Sequence, residues 1–200
     1  MNKNNIIIVG SSDIVLENQL GERIDEYDTI VRFNRAPTEG FEKYVGSKTT
    51  MRFINSHAVK NIPKQNEDLT FLPKLKNEII CSDYGIDKNE FYSVFDKTCT
   101  FRVINRFKNF DKFKSNYLNS LNLDIGIPGR EPSVGLNAIC HFINEGVKPT
   151  VYGFHLHDDN SRVSPHYWKQ KLRVGTCHNF SYERKLIRKL IELNYIELLK

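Results

Sequence analysis

Four of the six histidines in this 200-residue chain fall between His155 and His178. His155, His157, His166 and His178 are followed closely by Glu183. A neutral imidazole can take a proton from a hydroxyl near neutral pH, so the group reads first as acid–base equipment. A metal site is the competing reading. His155-x-His157 with Asp158 and Asp159 supplies donors, but no His-x-x-x-His and no cysteine partner supports it. Any one histidine taken alone is more commonly structural than catalytic.

Three further segments offer groups to an anion or a nucleotide. Val9-Gly10-Ser11-Ser12-Asp13 ends an apolar run in glycine and small hydroxyl residues, which lets backbone N–H groups approach a phosphate or ribose. It lacks the G-x-G-x-x-G spacing, and a plain tight turn explains it as well. Val31-Arg32-Phe33-Asn34-Arg35-Ala36-Pro37 places polar residues directly after a strand, with Asn34 able both to donate and to accept. Pro132-Ser133-Val134-Gly135 opens a helix, where exposed amides favour an anion, although an ordinary serine cap has the same pattern. Gly46-Ser47-Lys48-Thr49 superficially matches the end of a P-loop. The preceding glycine is missing and Ser47 separates glycine from lysine, so an ATPase is rejected.

The elements that must position these groups alternate. Apolar runs predict strands over 6–9, 29–33, 50–54, 78–82, 101–104 and 151–154. Helices are predicted over 109–121 and over 133–145, the second capped by Ser133 and stopped at Gly146 ahead of Pro149. A last helix begins near Ser181. Tyr182, Leu186, Ile187, Leu190, Ile191 and Leu193 form its apolar side, and Arg184, Lys185, Arg188, Lys189 and Glu192 its polar side. This order predicts one α/β domain over 1–200 with a mainly parallel sheet flanked by helices. Ligands of such sheets bind at the carboxyl ends of the strands, here the loops after Val9, Phe33 and Phe154, together with the loop before Ser133.

A net charge of +5, from 29 basic and 24 acidic residues, suits an anionic ligand but lacks the concentrated stripe of a nucleic-acid binder. Basic residues are dense from Arg102 to Lys114, with Phe101, Phe107, Phe110 and Phe113 between them. The plain reading is an amphipathic segment with a solvated basic face. The sharper one is an acceptor-side patch or a peripheral membrane contact. Cys81, Cys99, Cys140 and Cys177 fit no zinc spacing. With no signal peptide and no apolar run long enough to span a bilayer, the expectation is free thiols in a cytoplasmic setting.

Together the four segments resemble the sialylmotifs of the animal-type sialyltransferases, glycosyltransferase family 29. Residues 7–54 are similar to the large motif, with R-x-N-x-A-P-T-E-G-F-E-x-x-V-G-S-K-T-T at 32–50. Residues 132–154 are similar to the small motif, from P-S-x-G to V-Y-G-F; His166-Tyr167-Trp168 resembles the third; His178 to Glu183 gives the H-x-x-x-x-E of the very small motif. These cover over half the chain, and residues 56–123 match none of them. The resemblance implies a Rossmann-like variant of the GT-A fold and inverting, metal-independent transfer from CMP-sialic acid to a glycan hydroxyl, with no cofactor. It makes His178 the general base and His166 the contact to the leaving phosphate. Donor contacts fall to Gly10, Ser11, Ser12, Asn34, Ser133, Val134, Gly135, Tyr152, Gly153, Phe154 and Tyr167. Glu183 becomes a support inside the helix that positions His178.

The implied partners are a CMP-sugar and an acceptor glycan (oligosaccharide, glycolipid or lipopolysaccharide). Two departures bear on this. The family's cysteine before the first strand is absent, with Asn5 and Ile6 in that place, and Cys140 has no evident partner. Ser11 replaces the usual asparagine after the first glycine, which alters one nucleotide contact. The missing anchor suggests a bacterial or viral member. Other readings are CMP-Kdo or another CMP-activated keto-sugar acid as donor, and a non-catalytic nucleotide- or glycan-binding protein on the same fold.

Overall fold

The structure, a computed structural model, describes residues 5–56, 75–83, 86–118, 131–157, 164, 166–168 and 178–200. Seven strands form one all-parallel sheet: β1 (Ile6–Val9), β2 (Thr29–Phe33), β3 (Met51–Ile54), β4 (Ile79–Ser82), β5 (Thr100–Val103), β6 (Thr150–Tyr152) and β7 (Glu197–Leu198). Their order is β5-β4-β3-β2-β1-β6-β7. The chain leaves β1 toward β2 and later returns on β1's other side as β6. The reversal of strand order therefore lies between β1 and β6, where ligands of such sheets bind. Every residue of β1 and β2 is buried, as expected of strands covered on both faces.

Alternation along the strands builds two faces. Ile6, Ile8, Val31, Phe33, Met51, Phe53 and Cys81 face a core completed by α4 (Arg106–Phe113), α5 (Val134–Asn144) and α6 (Phe180–Glu192). On the opposite face Ile7, Val9 and Ile30 meet a 3-10 turn (Asp13–Glu17), α1 (Gly21–Asp25) and α2 (Glu42–Val45). Farther along that face Ile54 and Ile80 meet α3 (Lys88–Val94), whose Phe91 stacks between Phe95 and Phe101. Between these two apolar clusters the sheet carries Arg32 and Arg52, paired in register and almost wholly buried.

The parallel α/β architecture agrees with the sequence reading, and strand bounds shift by about a residue except at β6, which ends at Tyr152, so Gly153 and Phe154 belong to the following loop and not to the strand expected over 151–154. The helix expected over 109–121 starts earlier. Asn105 caps α4 by accepting from the Lys108 amide, and a π-helical turn (Lys114–Leu118) follows; residues 119–121 lie outside the described residues. Asn109, read as a helix start, sits inside α4 and donates to the carbonyl and side chain of Asn137 in α5. The basic-aromatic stretch is two elements, β5 and α4, not one amphipathic segment, and its Arg106 is buried. In α6, Arg184 is buried while Leu193 caps the helix 40% exposed, because the turn from Glu192 toward β7 carries Leu193 off the core. The sequence reading missed α1–α3 and β7, which are too short to show a period. Cys81, Cys99 and Cys140 are buried free thiols, and burial pushes the Cys81 thiol up to about 12; Cys177 lies outside the described residues.

Candidate active site

Two glycines shape the floor between β1 and β6. The Gly10 amide donates to Tyr152 O at 2.7 Å, and a Cβ on Gly10 would sit 2.2 Å from Gly153 O. Gly153 has φ +73°, and a Cβ there would strike Val15 at 2.4 Å. Only glycine at both positions lets the two loops close on each other. Ser12 donates its amide to Gly153 O and caps the 3-10 turn by accepting from the Ile14 amide. Ser11 O accepts from the Tyr167 amide.

Asn34 follows β2 with φ +42°, a conformation asparagine tolerates better than most residues. Its amide donates to Phe53 O, its Oδ1 accepts from the Asn55 amide, and its carbonyl accepts from Arg52. These bonds fix the turn and engage the Oδ1 side of the amide. Arg52 also donates to Ala36 O and pairs with buried Glu78 at 2.8 Å, so one guanidinium holds the whole turn after β2. Arg32 beside it is wrapped by the carbonyls of Val45, Gly46 and Lys48 and by Thr49; burial pushes its guanidinium down to about 10. The P-loop-like amides of Ser47 and Lys48 are taken by the Asp25 carboxylate. Burial alone would raise that carboxyl, but these bonds hold it below its ordinary value.

His166 reaches the floor through its neighbours. The Ser164 amide donates to Asp13 Oδ2 at 2.7 Å, the His166 carbonyl accepts from Ser164 Oγ, and the His166 ring stacks on Trp168 at 4.6 Å. Tyr167 is buried, packs edge-on against Phe41 and donates its hydroxyl to Pro37 O. Tyr152 likewise donates to Val15 O, behind the site. Burial pushes both phenols up to about 12. Both tyrosines therefore tie loops together, and their hydroxyls are spent on protein carbonyls rather than on a donor.

Ser133 caps α5 by accepting from the Leu136 amide. Its own amide and hydroxyl donate to the two oxygens of Glu183, at 2.7 and 2.5 Å. The anion expected at this helix start is thus supplied in part by the protein's own Glu183. Gly135 keeps room for Phe154, whose ring lies edge-on to Phe33 and would meet a Gly135 Cβ at 3.0 Å. His178, just before α6, has Nδ1 2.9 Å from Glu131 O. A carbonyl only accepts, so Nδ1 carries a proton, and in the neutral ring Nε2 then holds the lone pair.

Burial raises the Glu183 carboxyl, and the Ser133 bonds and the charges of His178 and Arg106 recover only part of the shift. Relative to the unfolded chain, the native state then favours protonated Glu183. That stability is complete below the ordinary glutamate value of about 4.3 and is lost as pH rises through the raised folded value. Glu183→Gln cannot ionise. The stability difference, wild type minus variant, should therefore fall as pH rises above the ordinary glutamate value of about 4.3, followed by urea unfolding; a constant difference would contradict this.

The His155 and His157 rings pack edge-on with centroids 5.9 Å apart; Asp158 and Asp159 lie outside the described residues. Among the described residues, no group of three or more His, Cys, Asp or Glu is placed to hold a metal ion. The structure thus gathers two sets of predicted residues. Gly10 with Tyr152, Ser12 with Gly153 and Ser11 with Tyr167 join through direct bonds, and His166 joins them through Ser164 and Asp13; Ser133, Glu183 and His178 form a second set, with Phe154 beside Gly135 between them. Sequence reasoning missed Arg52, Glu78, Asp83, Arg106 and Asn55. A charged residue inside an apolar strand run, as at Arg52, was the available signal.

A family model, Glycosyltransferase family 29 (sialyltransferase), matches residues 3–195. The chain belongs to glycosyltransferase family 29. It is 29% identical over 212 residues to the CMP-N-acetylneuraminate-beta-1,4-galactoside alpha-2,3-sialyltransferase of Rattus norvegicus, covering 95% of this chain and 56% of that protein. It therefore spans little more than half the length of this relative. Over 54 residues, 27% of this chain, identity to the beta-galactoside alpha-2,6-sialyltransferase 2 of Bos taurus reaches 52%, covering 11% of that protein. A mammalian sialyltransferase solved with Gal-beta-1-3GalNAc-ortho-nitrophenol superposes with TM-score 0.68 at 21% identity, covering 98% of this chain and 69% of that one. The alpha-2,3-sialyltransferase Cst-I of Campylobacter jejuni superposes at 0.57 with 16% identity, covering 100% and 77%. The family 29 chain thus shares the fold of solved sialyltransferases. Among its described residues, no helix is long and apolar enough to cross a membrane.

Proposed function

We propose that this chain transfers a sialic acid from CMP-sialic acid to a glycan hydroxyl, with inversion and without a metal. The observation that carries the reading is the His178 ring, held with Nδ1 on Glu131 O so that Nε2 is the basic nitrogen. The donor brings its own leaving group, so a single displacement suffices. The protein aligns an acceptor oxygen opposite the phosphate, removes its proton and stabilises the departing phosphate. His178 Nε2 takes the acceptor proton. His166, held at the β1 end, serves the phosphate, and Asn34 with the Val134 and Gly135 amides serves the rest of the donor. The two histidines stand on different supports, which lets one act as base and the other as donor contact. Relatives of this family 29 chain are named for galactoside acceptors, which makes a terminal galactoside the acceptor to try first.

The test is calorimetric titration with CMP, with and without EDTA, alongside UDP and GDP. Binding of CMP alone, unchanged by EDTA, is expected. Absence of CMP binding would overturn the reading. Ser11, in place of the family's asparagine, supports a second donor, CMP-Kdo or another keto-sugar acid. CMP binding without turnover of CMP-sialic acid would favour it.

A further inference from the structure

Asp83 and Arg106 come from the stretch that matches no motif, yet both are buried at the carboxyl edge of the sheet. Asp83 directly follows β4, and Arg106 opens α4. One guanidinium makes three contacts. Nη2 lies 2.6 Å from Asp83 Oδ2 and 3.2 Å from Glu131 Oε2, and Nη1 donates to Pro132 O at 3.1 Å. The second Asp83 oxygen accepts from the Ser56 amide at 2.8 Å, which anchors the carboxylate to the end of β3 as well. The segment 131–133 is therefore gripped from two sides. Arg106 holds Glu131 and Pro132 from the β4 side, while His178 and Glu183 hold Glu131 O and Ser133 from the α6 side.

We propose that Arg106, locked by Asp83, is a positioning residue for His178. It fixes the backbone at Glu131–Pro132, and so the carbonyl that selects the Nδ1–H tautomer and aims Nε2. The proposal rests on His178 as the base of the transfer reaction. A planar fork is needed because two acceptors and a carbonyl must be met from one head group, which a lysine ammonium on a flexible stem does not reproduce. The alternative, that Arg106 only neutralises Asp83, requires charge but not the fork. The Glu183 carboxyl of α6 feels the charges of both His178 and Arg106. The His178 ring also packs edge-on to Phe180 at 5.5 Å.

The experiment uses the full chain with 15N-labelled histidine. Ring-nitrogen shifts of His178 are recorded beside kcat and the donor KM for wild type, Arg106→Gln, Arg106→Lys and Asp83→Asn. Arg106→Gln should move His178 toward the Nε2–H tautomer and lower kcat by about 10²-fold, with donor KM little changed. Arg106→Lys should recover only part of both, and Asp83→Asn should shift both in the same direction by less. If Arg106→Gln fails to fold, Asp83→Asn and Arg106→Lys carry the decision. An unchanged His178 tautomer in the folded variants would overturn the proposal, as would full restoration by lysine. Should wild type bind CMP but transfer nothing, the transferase reading fails while the tautomer still decides whether Arg106 governs His178.

Discussion

Replacing His178 by alanine should lower kcat by about 10²–10⁴-fold, the usual contribution of a positioned general base, while CMP affinity stays near wild type. The separation follows from the supports. His178 is tied to Glu131 O at the start of α5, whereas the glycine floor and Asn34 are held by β1, β2, β3 and β6. Steady-state transfer assays paired with CMP calorimetry check both halves. A loss of kcat smaller than tenfold would remove His178 from the role of base. Equal loss of CMP binding would mean that the ring organises the donor site instead.

Arg52→Met should destabilise the fold by about 3–5 kcal/mol, because it leaves Glu78 charged, buried and unpaired. Relief of repulsion with neighbouring Arg32 offsets little of this, since each guanidinium already has its own oxygen ligands. The carbonyls of Asn34 and Ala36 lose their donor in the same substitution, so CMP binding should weaken alongside stability. Replacing Glu78 by leucine in the Arg52→Met background should recover much of the stability but not the CMP affinity, because an apolar pair satisfies the core and not the two carbonyls. Urea unfolding and calorimetry measure the two effects. A single-variant loss under about 1 kcal/mol would show the pair to be better hydrated than its burial implies.

Much of the frame was readable from residue order alone. The run Ile6-Ile7-Ile8-Val9 is apolar and β-branched at every position and closes on a glycine, the pattern of a short strand covered on both faces. Ser133 declared a helix start by its position before an apolar period, and Gly146, with φ +72°, its end. The motifs pointed to the family because these local signals recur in a fixed order with specific polar residues between them. Such features depend on contacts a few residues apart, so a single segment contains the information.

What the tertiary structure decided is which distant groups meet. Glu183 and Ser133 are 50 positions apart, and His178 and Glu131 are 47 apart. No local periodicity encodes that the first pair closes a helix start or that the second selects an imidazole tautomer. Sheet register placed Arg32 opposite Arg52, and the buried Arg52–Glu78 pair became the scaffold of the turn after β2. It also assigned Tyr152 and Tyr167 to holding loops, because a buried phenol must satisfy its hydroxyl and the available acceptors were backbone carbonyls. Asp83 and Arg106 carried no motif at all. Their partnership exists only because β4 ends where α4 begins, beside the segment that α6 grips from the other side.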